Sequence, residues 1–268
     1  MRTSYSILLL CCYSLVWVSC TQKNHPASAR EKILLNDGWR FMKYDGPADS
    51  LIYDVRPTVS EHNDSKDADT EPTEREDLVA KQLVLKPWIM PTGNPFIQDS
   101  SRHYKRPEGQ PPGSNFPFVS SDFDDQTWQS INLPHDLGIE GPFQEGWDAK
   151  VGGGMGRLPS HGVAWYRRKL ELDSADSSRQ IFLEVEGAMS YAMVWCNGQL
   201  VGGWPYGYNS WQLNLTPYLK CVEENQLAIR IDNPPHSARW YPGGGLYRNV
   251  WLIKTQGENV AQWGTCIR

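Results

Sequence analysis

The chain has 268 residues, with 26 Lys and Arg against 31 Asp and Glu, so its formal net charge at pH 7 is −5. That length allows one large domain or two modest ones. A mildly acidic chain without a basic block is not typical of a nucleic-acid-binding protein, because such proteins gather Lys and Arg on one surface.

The N-terminus has the pattern of an export signal. Arg2 precedes an apolar run from Ile7 to Val18, and Ser19-Cys20 is followed by polar residues. A small residue before Cys20 resembles a bacterial lipoprotein signal, whereas Trp17 stands where an aliphatic residue is usual, so ordinary signal cleavage is an alternative. We predict residues 1–20 as a lipoprotein-type signal peptide with Cys20 lipidated. The protein would then be exported, and would be periplasmic or held at the outer membrane through a lipid anchor alone.

A short tether and one strand precede a long insert. Residues 21–32 are polar and are predicted to be a tether. Within residues 33–41 an apolar strand is predicted that leads into an Asn-Asp-Gly turn. Residues 45–118 are predicted to be an irregular polar insert, because ten acidic and four basic residues lie between positions 49 and 82. A capping box of Thr73 and Glu76 predicts a helix over residues 74–85.

From about Asp122 the pattern is one of short strands at regular intervals. Apolar and polar residues alternate in six segments, at 163–172, 181–185, 192–196, 211–215, 227–231 and 250–254. Asn197-Gly198 is typical of a two-residue hairpin turn. This spacing predicts an all-β fold, a β-sandwich or jelly roll, whereas an (α/β)-barrel would need many amphipathic helices. Trp165, Trp195 and Trp211 lie within the strands and are expected in the core. Glu184 is expected to be solvated.

The cysteines and histidines do not form a recognisable cofactor or catalytic pattern. Of six cysteines, three belong to the signal, and Cys196, Cys221 and Cys266 remain at wide spacing. An odd number at such spacing predicts no disulfide framework and no metal cluster, so we expect small apolar core residues. We therefore predict no cofactor and no metal.

Specific strings in this chain resemble a known family. The strings are Leu35–Phe41, Asn132–Asp136, Gly162–Arg168, Val194–Gly198, Tyr206–Tyr208, Asn214–Leu219 and Arg239–Val250. Their order and spacing resemble the N-terminal sugar-binding, jelly-roll domain of glycoside hydrolase family 2, especially its bacterial β-galactosidase-like members, over residues 33–254. Residues 260–265 resemble the first strand of the immunoglobulin-like domain that follows in that family. Residues 255–268 are thus expected to start a truncated domain of that kind.

The resemblance implies a galactose-binding-like β-sandwich and an accessory role. The family's catalytic domain is a barrel with two catalytic Glu residues, which in retaining enzymes lie about 5 Å apart, and nothing in this chain resembles that barrel. The implied protein is therefore a truncated, β-galactosidase-like accessory domain that is inactive alone. Its implied partners are a β-galactoside or related glycan and a missing or separate catalytic domain. Two alternatives stay open: a stand-alone carbohydrate-binding surface lipoprotein, and a structural subunit that docks on a separate hydrolase chain.

The resemblance also implies substrate-binding residues. In relatives the loop that matches Pro134-His135-Asp136 leans toward the barrel mouth, so Asp136 is expected to help hold the sugar and His135 to contact it. Leu137 stands where relatives usually carry Trp. The alternative for Asp136 is a turn in which the carboxylate bonds its own backbone, and for His135 it is an ordinary loop histidine.

A second predicted group of substrate-binding residues is Arg239, Trp240 and Tyr241, which match a stretch that borders the sugar subsite in relatives. A planar guanidinium and aromatic faces suit sugar hydroxyls and apolar sugar faces, although a structural sheet corner is the alternative. Some relatives bind a cation through an acidic residue at position 239, so Arg239 implies no metal here. Residues 204–208 are either an aromatic sugar platform or loop packing.

Overall fold

The computed structural model describes residues 29–45, 48–54, 83–140, 161–234 and 243–265. The strands within these residues are β1 Arg30–Leu34, β2 Trp39–Lys43, β3 Leu51–Ile52, β4 Leu83–Val84, β5 Gln129–Ile131, β6 Gly162–Glu171, β7 Gln180–Val185, β8 Ala192–Cys196, β9 Gln199–Trp204, β10 Trp211–Asn214, β11 Glu224–Asn233 and β12 Val250–Thr255. The α-helices are α1 Lys86–Ile89 and α2 Leu137–Glu140, and the 3₁₀ segments are Met90–Phe96, Ser100–Arg102, Pro117–Val119, Ser174–Ser178 and Thr216–Tyr218. None of the helices in these ranges has the length and apolar character needed to cross a bilayer.

Two antiparallel sheets form a sandwich. One has four strands in the order β1-β12-β7-β10, and the other has six in the order β5-β2-β6-β11-β8-β9. The ten-residue strands β6 and β11 pair along their whole length in the middle of the larger sheet. One core cluster contains residues of both sheets, so the predicted all-β galactose-binding-like sandwich is confirmed.

The hairpin between β8 and β9 shows how a local sequence sets the local fold. Asn197 and Gly198 have φ angles of 50° and 79°. Both values lie in the left-handed region, which asparagine and glycine tolerate best and which a type I′ turn requires. The turn predicted at this position is confirmed.

Successive residues of the six-stranded sheet face two different cores. Tyr166, Val194 and Ile229 belong to the cluster between the sheets. Their neighbours Trp165 and Trp195 point to the opposite face, where they belong to a second cluster. The larger sheet is therefore buried on both sides.

The insert covers the outer face of the six-stranded sheet. Leu51, Trp88 and Ile89 are buried in the second cluster, and the ring of Phe116 stacks on Trp165 with 5.4 Å between centroids. The insert was predicted to be irregular and polar, but its described residues form short helical segments with a buried apolar face. The helix predicted over residues 74–85 lies mostly outside the described residues, and its described end is part of β4.

Two buried carboxylates, Asp49 and Glu184, form ion pairs that join distant segments. Asp49 of the insert accepts from Arg230 on β11 at 2.8 Å and from the Trp165 indole at 3.1 Å, and both charged side chains are buried. Glu184 was expected to be solvated, but this is wrong: it is buried and lies 2.8 Å from the ammonium of Lys32. Charges removed from water need such partners.

The ends of the chain differ from expectation in the ranges that are described. β1 begins at Arg30 and pairs with β12, so the last residues of the predicted tether belong to a strand. Residues 256–265 contain a bend and a turn and no assigned strand, and the predicted start of a truncated immunoglobulin-like domain stays a prediction. The signal peptide and Cys20 lie outside the described residues and stay predictions.

Candidate functional site

A cavity of about 550 Å³ lies at one edge of the six-stranded sheet. It is formed where the edge strand β5 runs into the loop that leads to α2. Its lining residues are Gln129, Ser130, Ile131, Asn132, Pro134, His135, Asp136, Ile139, Glu140 and Tyr247. Two of the predicted binding residues, His135 and Asp136, therefore lie together in its wall.

His135 is held in the cavity wall by both its backbone and its ring. Its N–H donates to the carbonyl of Leu246 at 2.8 Å, and Phe41 packs against the imidazole with 4.5 Å between ring centroids. The ring nitrogen Nδ1 lies 2.8 Å from the phenol oxygen of Tyr166. Only 3% of the His135 side chain is exposed. Nδ1 of His135 therefore has a hydrogen-bond partner within the protein.

The other ring nitrogen of His135, Nε2, is buried next to a carboxylate that lines the cavity. Burial raises the pKa of the Tyr166 phenol well above its ordinary value, so this hydroxyl stays protonated at neutral pH. A protonated phenol can donate to Nδ1, which leaves the ring proton on Nε2. Nε2 lies 3.1 Å from a carboxylate oxygen of Glu140, whose side chain is 51% exposed. The arrangement thus places an imidazole N–H and a carboxylate side by side at the cavity.

A glycine allows the loop to sit this closely against His135. Gly245 has φ of +93°, and a Cβ added there would lie 2.1 Å from the Tyr166 phenol oxygen. Its N–H and carbonyl both bond to Met189 at 2.9 Å. The Gly-rich string at 243–245 is therefore needed to bring Leu246 and Tyr247 beside the cavity.

Asp136 forms the turn that was its alternative interpretation. Its Oδ1 accepts the N–H of Gly138 at 2.9 Å, and the side chain is half-buried. The same side chain lines the cavity. A carboxylate fixed by its own backbone is also preorganised for a ligand hydroxyl, so the turn and the predicted binding role are compatible.

Tyr247 is a cavity residue that the sequence analysis did not single out. Its hydroxyl donates to the carbonyl of Gly207 at 2.7 Å, and the guanidinium of Arg248 lies 5.5 Å from its ring centroid. Burial raises the pKa of its phenol. It lies within Arg239–Val250, one of the strings that carry the family resemblance, but outside residues 239–241, which the resemblance predicts as sugar-binding. Tyr247 connects the cavity to the aromatic loop at 204–208.

The aromatic loop is partly exposed beside this connection. Tyr206 and Tyr208 form an edge-to-face pair with 5.5 Å between centroids, and Tyr206 is 59% exposed. Trp204 is half-buried, and its indole N–H donates to Asn209 at 2.8 Å. Trp204 packs against the core, whereas the two tyrosines present their rings to solvent.

The remaining predicted binding residues, Arg239, Trp240 and Tyr241, lie outside the described residues. The chain on either side of them is described: Asn233 donates to the carbonyl of Gly243 at 3.0 Å, and Leu137 donates to Gly244 at 3.0 Å. Gly244, which follows this segment, is thereby held next to the loop that carries Asp136. Across the described ranges, no group of three or more His, Cys, Asp or Glu residues is arranged to hold a metal ion.

This chain is similar in sequence to a known family model and to known glycosidases. Residues 159–241 match the family model described as "Glycosyl hydrolase 2 galactose-binding domain-like". The chain is 44% identical over 146 residues to the β-galactosidase BoGH2A of Bacteroides ovatus, a match that covers 54% of this chain and 17% of that protein. It is 36% identical over 138 residues to a putative β-glucuronidase of Formosa agariphila, covering 51% of this chain and 13% of that protein.

Solved structures agree in fold. A β-glycosidase from Bacteroides vulgatus superposes with a TM-score of 0.50 and 24% identity, covering 84% of this chain and 20% of that one. A calcium-binding mutant of Bacteroides uniformis β-glucuronidase 2 gives a TM-score of 0.51 and 23% identity, covering 88% and 20%. The resemblance to the N-terminal sugar-binding domain of glycoside hydrolase family 2 is confirmed, and this chain spans only a small part of the larger glycosidases that it matches.

Proposed function

We propose that this chain supplies the accessory sugar-binding domain of a family 2, β-galactosidase-like glycosidase, and that the cavity beside Asp136 forms part of its sugar site. The observation that carries the proposal is the position of this cavity. It lies at the loops of a sugar-binding-type sandwich, and two residues expected to contact the sugar line it.

The cavity has the size and chemistry for one sugar residue. Its volume of about 550 Å³ is within the range of small-molecule sites. Asp136 and Glu140 offer acceptors for sugar hydroxyls, Tyr247 offers an aromatic ring, and the buried ring of His135 shapes the wall between them. We propose that Arg239, Trp240 and Tyr241 complete this side of the site.

The rim of the cavity favours an accessory role. Ile139 is 71% exposed, and Tyr206 and Tyr208 lie exposed beyond Tyr247. Exposed apolar groups grouped around a polar cavity are typical of a surface that packs on another domain. In our proposal the catalytic barrel, a missing or separate domain, covers this rim and supplies the two carboxyl groups that hydrolysis requires.

The export of the protein belongs to the same proposal. A signal peptide with lipidation at Cys20 would place the domain in the periplasm or at the outer membrane, where glycans arrive from outside the cell. Mass spectrometry of the mature chain tests this directly, because a diacylated or triacylated N-terminal cysteine is expected. A mature chain that begins elsewhere, without lipid, would contradict the anchor.

A domain exchange tests the accessory role. The matching domain of the Bacteroides ovatus β-galactosidase is replaced by residues 29–255 of this chain, which keep β1 and β12 whole, and kcat and KM are measured on a chromogenic galactoside. The hybrid is expected to be active. Asp136→Ala in the hybrid is expected to lower kcat/KM about tenfold or more, because a hydrogen bond to a charged group contributes about 1.5–3 kcal/mol.

Controls separate binding from folding and from intrinsic activity. Asp122→Ala removes an exposed carboxylate away from the cavity and should leave kcat/KM unchanged. The 268-residue chain alone is expected to show no turnover. Robust hydrolysis by this chain that Glu140→Gln abolishes would overturn the proposal, since the cavity would then itself hold the catalytic acid. Unchanged kinetics in the Asp136→Ala hybrid would remove Asp136 from the sugar site.

A further inference from the structure

We infer that a second cavity, at the opposite edge of the six-stranded sheet, binds a neutral saccharide. This distal cavity has a volume of about 720 Å³. The lining residues that matter here are Trp88, Arg106, Gln110, Asn115, Gln199 and Tyr218. It lies beside β9, whereas the first cavity lies beside β5, and these are the two edge strands of the sheet. Five strand spacings of about 4.8 Å put the two edges about 24 Å apart.

An arginine clamp fixes the aromatic wall of the distal cavity. Arg106 Nη1 donates to the Tyr218 hydroxyl at 2.6 Å, and Nη2 donates to the Leu200 carbonyl. The guanidinium carbon lies 5.8 Å from the Trp88 ring centroid and 6.0 Å from that of Tyr218. The clamp joins three segments that are distant in sequence, so the wall is preformed, as is usual for small-molecule sites.

The hairpin turn fixes the opposite wall. The amide of Asn197 donates to the carbonyl of Tyr218 at 2.9 Å and to Asn225 at 2.7 Å. With that side chain engaged, the amides that remain exposed at the cavity are those of Gln110, Asn115 and Gln199. Each amide offers both donors and an acceptor, which suits adjacent sugar hydroxyls.

Charge distinguishes the two cavities. The distal cavity is lined by uncharged residues apart from Arg106, and both terminal nitrogens of Arg106 already make hydrogen bonds. The first cavity contains the carboxylates of Asp136 and Glu140. Aromatic rings, amides and an engaged guanidinium favour a ligand with hydroxyl groups and apolar ring faces, which is a neutral mono- or disaccharide.

A second site on one domain has a physical consequence for binding to a polymer. Two weak sites that engage the same glycan chain bind more tightly together than either alone, because the second contact forms within one complex. The distal cavity would thus hold one part of a polysaccharide while the first cavity holds the sugar unit whose glycosidic bond is to be hydrolysed.

Amide and indole NMR shifts of the isotope-labelled full chain, titrated with lactose and with cellobiose to about 20 mM, test the inference. That concentration exceeds a 1 mM Kd about twentyfold. We expect saturable shifts at the Trp88 indole and at the amides of Gly198 and Gln199 with at least one of the two sugars. These shifts should persist in Asp136→Ala, which separates the distal cavity from the proposed galactoside site.

A double variant decides whether the exposed amides carry the binding. Asn115→Ala with Gln199→Ala removes two exposed side chains and should leave the fold intact, with an expected loss of affinity of tenfold or more. Asn259→Ala, an exposed amide elsewhere, is the control and should bind as the parent does. Absent shifts at the distal cavity with both sugars, or an unchanged Kd in the double variant, would overturn the inference.

Discussion

Gly245 provides a direct test of how the first cavity is assembled. A Cβ at this position would lie 2.1 Å from the Tyr166 phenol oxygen and 3.2 Å from the His135 carbonyl oxygen, and the backbone φ is +93°. Gly245→Ala therefore forces an L side chain into a strained backbone and pushes the phenol away from the imidazole. Both the free energy of unfolding and the hydrogen bond between Tyr166 and His135 should therefore change.

The magnitude follows from the two contributions. A left-handed backbone costs an L residue about 1–2 kcal/mol, and an extra carbon in a packed site costs about 1–3 kcal/mol. Gly245→Ala should thus lower the free energy of unfolding by about 2–5 kcal/mol. Tyr166→Phe should lower it by about 1–3 kcal/mol, because buried Nδ1 of His135 loses its partner.

The double variant separates the steric effect from backbone strain. Tyr166→Phe deletes the atom that the new Cβ would meet first, so the combined loss should be smaller than the sum by about 1 kcal/mol or more. Urea denaturation followed by tryptophan fluorescence measures all three variants. Gly257→Ala, where a Cβ would have no neighbour within 4 Å, is the control and should stay within about 0.5 kcal/mol of the parent. A loss below about 1 kcal/mol for Gly245→Ala, or strict additivity, would refute this reasoning.

Three further predictions concern buried polar groups. Asp49→Ala should destabilise the chain by about 3 kcal/mol in urea denaturation, because it leaves the buried Arg230 guanidinium without its bidentate partner; a loss under 1 kcal/mol would contradict this. Burial raises the pKa of Tyr53 to about 12, so the parent should lose stability as pH rises from about 10, the ordinary phenol pKa, to about 12, and Tyr53→Phe should lose less over that range. An equal loss of unfolding free energy over this pH range in the parent and in Tyr53→Phe would contradict the prediction. Burial raises the pKa of Cys196 to about 12, so iodoacetamide should modify exposed Cys221 in the native chain and Cys196 only after unfolding; peptide mass spectrometry that finds native Cys196 labelled as fast as Cys221 would disprove it.

The strands and turns of this protein follow from short-range sequence patterns. Alternating residues along 192–196 and 227–231 indicate strands, and Asn197-Gly198 specifies the turn between β8 and β9 because these residues accept positive φ. The strands and the turn depend only on neighbouring residues in the chain. The resemblance to a sugar-binding sandwich depends on the order of the family strings along the chain.

The candidate site was only partly visible in the sequence. The family resemblance predicts His135 and Asp136 as sugar-binding residues, and both line the cavity. The same strings contain Tyr247, but nothing local distinguishes it from its neighbours. Its place at the cavity depends on its bond to Gly207, 40 residues away in the chain.

The alternation of residues and the order of the family strings are enough to predict strands that close as a sandwich of sugar-binding type. The burial of both faces of the larger sheet, and the pairing of Asp49 with Arg230 across 181 positions, are visible only in the folded chain. Period-two alternation tells which residues share a face of a strand, but not which segment covers that face. Contacts between distant residues leave no spacing in the sequence, because they arise only when the sheet has formed and the insert folds over it.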